Sequence, residues 1–190
     1  MEVLIAPTLP FDELNNARAS GARFEDEPGY YEPGGVWLYG NTRLLHANLA
    51  CVANVAGKRH FDREDLNQIE QEAERLVLLG AVLVTGIHNE GYMRAALVPL
   101  RWGSPRVIVF SGGFCSHLGS DLRSEPFSAA QLWRYCWDAK TDLAVSLCAP
   151  NQEPKNTFCN PTIDQLIARL VHCAHQVAPS VADPLGLVPT

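Results

Sequence analysis

The sequence has no stretch approaching the ~18 apolar residues that a membrane-spanning helix needs, so a membrane partner is not expected. It begins Met1-Glu2-Val3-Leu4-Ile5-Ala6-Pro7, without the basic start and long apolar run of a signal peptide, and the cytoplasm is the expected location. Excess positive charge is missing too: 15 Lys and Arg stand against 21 Asp and Glu, a net charge of −6. Nonspecific nucleic-acid binding draws most of its free energy from neutralising phosphates, so this balance argues against a generic basic DNA coat. The six cysteines include no Cys-x-x-Cys and are scattered along the chain, which reads as reduced, small core residues rather than a disulfide frame. No internal repeat or low-complexity block is present.

What is there is enough for one packed domain, since 190 residues at 47% hydrophobic can bury a real core. Pro7, Pro10, Pro28 and Pro33 mark residues 1–34 as a loop-rich arm with at most one short helix over 11–19. A single domain is expected over 35–178, and Pro179, Pro184 and Pro189 mark 179–190 as a tail.

Within the domain, strand and helix signals alternate. Val36 to Tyr39 reads as a short strand, and the small apolar run from Ala50 to Ala56 as a strand covered on both faces. Asp62 has the chemistry of an N-cap, and Leu66, Ile69, Ala73, Leu76 and Val77 form one apolar stripe of a helix that Gly80 stops. A strand over 81–84, a helix over 92–100 and a strand over 106–110 follow. The spacing further predicts a helix over 128–140 with Leu132, Trp133 and Cys136 inward, a strand over 143–147 and a helix over 164–176. Strand, helix, strand with short links implies parallel pairing and right-handed crossovers, hence an α/β, Rossmann-like open sheet, mostly parallel, with helices on both faces.

Three strands end in glycine turns: Gly57-Lys58-Arg59, Thr85-Gly86 and Ser111-Gly112-Gly113. In an open parallel sheet the carboxyl edge is where ligands bind, so these turns are expected to converge on one crevice. A strand-end glycine followed by cations and a helix N-terminus suits a phosphate. Gly57, Lys58, Arg59, Thr85, Gly86, Ser111, Gly112 and Gly113 are therefore the candidate ligand contacts. Arg59 has a plainer alternative, capping a helix or pairing with Asp62.

Other residue groups carry less. His88 and Glu90 read as solvated turn residues rather than a general base and a water activator. His172, Cys173 and His175 on one helix would need further ligands, so no metal is expected. Trp133, Tyr135 and Trp137 suit core or dimer packing better than base stacking.

The run Gly35-Val36-Trp37-Leu38-Tyr39-Gly40-Asn41, then Leu44-Leu45, then Gly57-Lys58-Arg59, resembles the pattern of the DNA-processing protein A family (DprA, also called Smf). Val84-Thr85-Gly86 with Ala95-Ala96-Leu97, and Val107 to Gly113, are similar to two further motifs of that family. The resemblance covers roughly residues 34–115 and implies a Rossmann-like domain of the SLOG superfamily. It further implies binding of single-stranded DNA, a RecA-type recombinase as partner, a homodimer, no cofactor and no catalysis. By the resemblance, Gly57, Arg59 and Gly86 are phosphate contacts, and Lys58 stands where the family has serine.

Two family signatures differ here. A Gly-Ile-Asp is matched by Gly91-Tyr92-Met93, and an Arg-Asn-Arg by residues 158–163, which contain no arginine. These differences and the acidic charge favour an alternative, a SLOG-type sensor or carrier of a nucleotide or nucleotide-derived ligand. A third reading, a LOG-like nucleotide hydrolase, wants Pro-Gly-Gly-x-Gly-Thr-x-x-Glu, but Ser111-Gly112-Gly113-Phe114-Cys115 lacks that threonine and glutamate.

Overall fold

The strand signals resolve into one six-stranded sheet in the computed structural model, which describes residues 29–31, 36–154 and 161–177. The strands are β1 (Gly29–Tyr31), β2 (Val36–Gly40), β3 (Leu49–Ala50), β4 (Val82–Gly86), β5 (Arg106–Phe110) and β6 (Leu143–Ser146). Their order is β1-β2-β6-β5-β4-β3. The pairs from β3 through β6 are parallel, with Val84 opposite Val107 and Val109 opposite Val145, whereas β2 runs antiparallel to both β6 and β1. The helices are α1 (Arg63–Leu78), α2 (Glu90–Arg101), α3 (Phe114–Leu118) and α4 (Pro161–Val177).

The central strands are continuous apolar runs because both faces are covered. Alternate residues divide between two clusters: Val107, Val109, Leu143 and Val145 pack with Ile163, Leu166 and Ile167 of α4, while Ile108, Phe110 and Ala144 pack with Phe114, Leu118, Phe127 and Trp137. Each of these aliphatic side chains removed from water is worth about 1.5–3 kcal/mol before entropy is counted. α1 and α2 pack on each other, and α4 lies against β3, β4 and β5. Asp62 caps α1 as expected, accepting from the Asp65 backbone N–H while the Asp65 carboxylate accepts from that of Asp62.

Four expectations are corrected. The expected strand from Ala50 to Ala56 pairs only at Leu49–Ala50 and then turns, with Asn54 at φ 61° and Gly57 at φ 71°. The expected helix over 128–140 is a single 3₁₀ turn, Ser128–Leu132. Without the helix its apolar period has no meaning, and Phe127, Ala130 and Trp137 turn inward while Leu132, Trp133 and Cys136 are exposed. Cys136 is therefore a surface thiol, not a core residue. The arm contributes β1 at the sheet edge; its expected helix over 11–19 and the tail 179–190 lie outside the described residues.

Candidate functional site

The turns after β3 and β4 meet at the first turn of α4. Asp164, in that turn, accepts a hydrogen bond from the Gly57 backbone N–H through Oδ2 at 2.9 Å, and its Oδ1 lies 2.9 Å from His88 Nε2. Gly57 itself is exposed, and a Cβ there would meet nothing within 4 Å, so its glycine identity answers to the positive φ. Gly86 has a different reason: a Cβ would lie 2.6 Å from His88 Nδ1 and 3.3 Å from a methyl group of Ile163. The glycine makes room for the histidine ring and for α4.

His88 was expected to be solvated; its side chain has no exposed surface. Burial lowers its pKa, and this outweighs the opposing pull of the Asp164 carboxylate. The ring centre lies 5.0 Å from that of Tyr92, whose hydroxyl pKa is raised first by burial and then by the Asp164 charge. The next residue, Asn89, caps α2 by accepting from the Tyr92 N–H and donates to the Val55 carbonyl, fastening the β4 turn to the β3 turn. No local pattern distinguishes His88 from a loop histidine, because its burial is made by α4 from far along the chain. Asp164 was read only as the start of a helix.

Outside this inner contact lies a basic lip. Lys58 Nζ is 2.5 Å from the Asp65 carboxylate and 5.4 Å from the Phe61 ring centre, and the Lys58 hydrogen bond is the main cause of the lowered Asp65 pKa. Arg59, His60 and Arg63 are exposed, and Arg59 makes no ion pair to Asp62 or any other acid among the described residues.

The third turn is closed by its own chain. The Gly113 N–H donates to the Gln152 carbonyl at 2.7 Å, and the Ser146 hydroxyl donates to the Gly112 carbonyl at 2.8 Å. A Cβ on Gly113 would come within 2.2 Å of the Ala149 carbonyl oxygen, and one on Gly112 within 2.8 Å of Pro154. Ser111, Gly112 and Gly113 are buried, the two glycines against residues 149–154, and Thr85 and Gly86 are buried too, Gly86 against His88 and Ile163 of α4. Of the eight candidates, Gly57, Lys58 and Arg59 reach the surface. Among the described residues, no group of three or more His, Cys, Asp or Glu is arranged to hold a metal, and no helix is long and apolar enough to cross a membrane. His172 is exposed, and the side chains of Cys173 and His175 lie outside the described residues.

No protein-family model matches the chain. No curated protein matches it either. Two solved structures do. DNA processing protein A from Helicobacter pylori, described for its single-stranded DNA binding mode, is 16% identical with a TM-score of 0.46 over 78% of this chain and 65% of its own. DNA processing protein A (DprA) from Streptococcus pneumoniae is 15% identical with a TM-score of 0.51 over 84% of this chain and 55% of its own. The chain thus spans less than two thirds of the length of either, and at this identity the likeness is one of backbone architecture. The mixed, mostly parallel sheet with its covering helices is a DprA-like, Rossmann-like fold.

Proposed function

We propose that the chain is a non-catalytic, DprA-like binder of single-stranded DNA, acting through the lip of the β3 turn at the carboxyl edge of the sheet. The observation that carries the reading is that the Gly57 N–H already holds an anionic oxygen, that of Asp164, with Arg59, His60 and Arg63 exposed beside it. A turn N–H that attracts a carboxylate has the polarity a phosphate needs, and Arg59, which has no acidic partner among the described residues, can meet the next phosphate along a strand. A fold shared with a DNA-processing protein supports a DNA ligand. On this reading Lys58 and Arg59 make the direct contacts at the lip that Gly57 turns outward; Thr85, Gly86, Ser111, Gly112 and Gly113 shape the turns beneath them. A RecA-type recombinase as partner and a homodimer extend the same proposal.

The net charge of −6 favours a second reading, a small nucleotide-derived ligand, over a long polyanion. Titration with fluorescent oligo-dT and with free nucleotides at ~50 and ~200 mM salt separates the two, because phosphate-driven binding collapses over that range. Salt-sensitive oligo-dT binding that is lost in Arg59→Ala supports the DNA reading. Nucleotide binding without oligo-dT binding replaces it with the second, and binding of neither removes both.

A further inference from the structure

Both oxygens of the Asp164 carboxylate are engaged, Oδ2 by the Gly57 N–H and Oδ1 by His88 Nε2, and only 13% of the side chain is exposed. Its position does not depend on these two bonds alone. Ile163, Leu166, Ile167 and Leu170 of the same helix are all buried in the core, so α4 delivers the carboxylate to the turn by hydrophobic docking. Beneath it, His88 Nδ1 and Thr85 Oγ1 are buried polar atoms with no partner among the described residues.

We infer that Asp164 is an internal occupant of the inner anion position of the β3 turn and thereby decides which phosphates the turn accepts. The inference rests on the proposed phosphate-binding role of that turn and deepens it. A terminal phosphate entering at the Gly57 N–H must displace a carboxylate and meets its negative charge a few ångströms away. A strand laid across the lip places its phosphates outside, against Arg59, and does not. Asp164 therefore selects against mononucleotides and inorganic phosphate, and in favour of an extended polyanion.

The test is the Gly57 amide signal of the ¹⁵N-labelled full chain, titrated with inorganic phosphate in the wild type, Asp164→Ala and Asp164→Asn. Removing the carboxylate frees the N–H and deletes the charge, so Asp164→Ala responds at phosphate concentrations about tenfold lower than the wild type. Asp164→Asn keeps an acceptor for Gly57 but not the charge, and falls between. Equal responses in wild type and Asp164→Ala overturn the inference, as does the lack of a Gly57 response in every protein. Thermal melts establish that each variant is folded; if Asp164→Ala is not, the gain in Asp164→Asn decides, and its absence overturns the inference. Oligo-dT binding measured on the same samples separates the two levels. Wild-type binding that depends on Arg59, with no phosphate gain on removing Asp164, sinks the inference alone; a phosphate gain without oligo-dT binding sinks the DNA reading and the preference for an extended polyanion with it, and leaves Asp164 as the group that keeps free phosphate out.

Discussion

His88 and Asp164, 76 residues apart in sequence, are joined by a 2.9 Å contact between Nε2 and Oδ1, and the histidine side chain has no exposed surface. The contact fastens the β4 turn to the last described helix, and through the other Asp164 oxygen it reaches the β3 turn. One carboxylate thus links three segments that the sheet brings to the same edge.

Acid should unfold the protein through His88, which is buried, and His117, which is partly buried. Burial takes the His117 pKa down from 6.5 to about 4, and His88 shifts in the same direction. A pKa that is lower in the folded than in the unfolded state means that the unfolded chain binds more protons in between, so stability is full above about 6.5 and is lost as pH falls towards 4. Urea unfolding followed across this window should show His117→Phe, which keeps the stacking on Phe110, losing about 2 kcal/mol less than wild type. The same pH slope in both proteins would contradict the assignment.

At the amino ends of the parallel strands, Arg106 and Asp142 form a fully buried pair, Nε to Oδ2 at 2.7 Å, shared with Glu125 and with Arg134, whose guanidinium bonds both acids. Removing one partner strands its buried counter-charge, so Asp142→Ala should cost about 3–5 kcal/mol. Glu72→Ala breaks a 2.7 Å pair with Arg75 that is exposed to water, and should cost under about 1 kcal/mol. Denaturant midpoints of the two variants that differ little would show that the network is not the support it looks to be.

Arg59→Ala should weaken oligo-dT binding more than Arg63→Ala, because Arg59 is two residues from the anion-holding Gly57 N–H whereas Arg63 opens α1 between the capping acids Asp62 and Asp65. Each lost phosphate contact should also lower the slope of log K against log salt by about 0.7 for a single strand. Equal losses in affinity and slope would remove the special role of Arg59.

Gly40 and Gly103 both have positive φ, 110° and 61°, but differ in surroundings. A Cβ on Gly40 would fall 2.2 Å from the Asp142 carbonyl oxygen, whereas one on Gly103 would meet nothing within 4 Å. Gly103→Ala therefore carries only the left-handed backbone penalty of about 1–2 kcal/mol, and Gly40→Ala that penalty plus a backbone clash, more than about 3 kcal/mol in all. Comparable melting temperatures for the two variants would show that the β2–β6 junction yields.

The α/β alternation, the capping of α1 by Asp62 and the buried strands β4, β5 and β6 were legible because they depend on residues close in sequence: an apolar period, a capping side chain, a stop glycine. Two local readings failed where long-range packing overrode propensity. The run after Ala50 leaves the sheet after a two-residue pairing with β4, and residues 128–140 follow the requirements of the Arg106 network and the Trp137 contact instead of a helical period.

The sequence by itself determined which turns would end at glycines and that cations would gather behind Gly57, since both are written in consecutive residues. Only the tertiary structure decided which of those turns stay open. Residues 149–154 close over Gly112 and Gly113, His88 is buried beside Gly86, and Asp164 arrives at Gly57 from 107 positions away. The physical reason is that backbone N–H groups at a strand end take whatever acceptor packing brings within reach, and which acceptor that is depends on how distant helices bury their apolar faces.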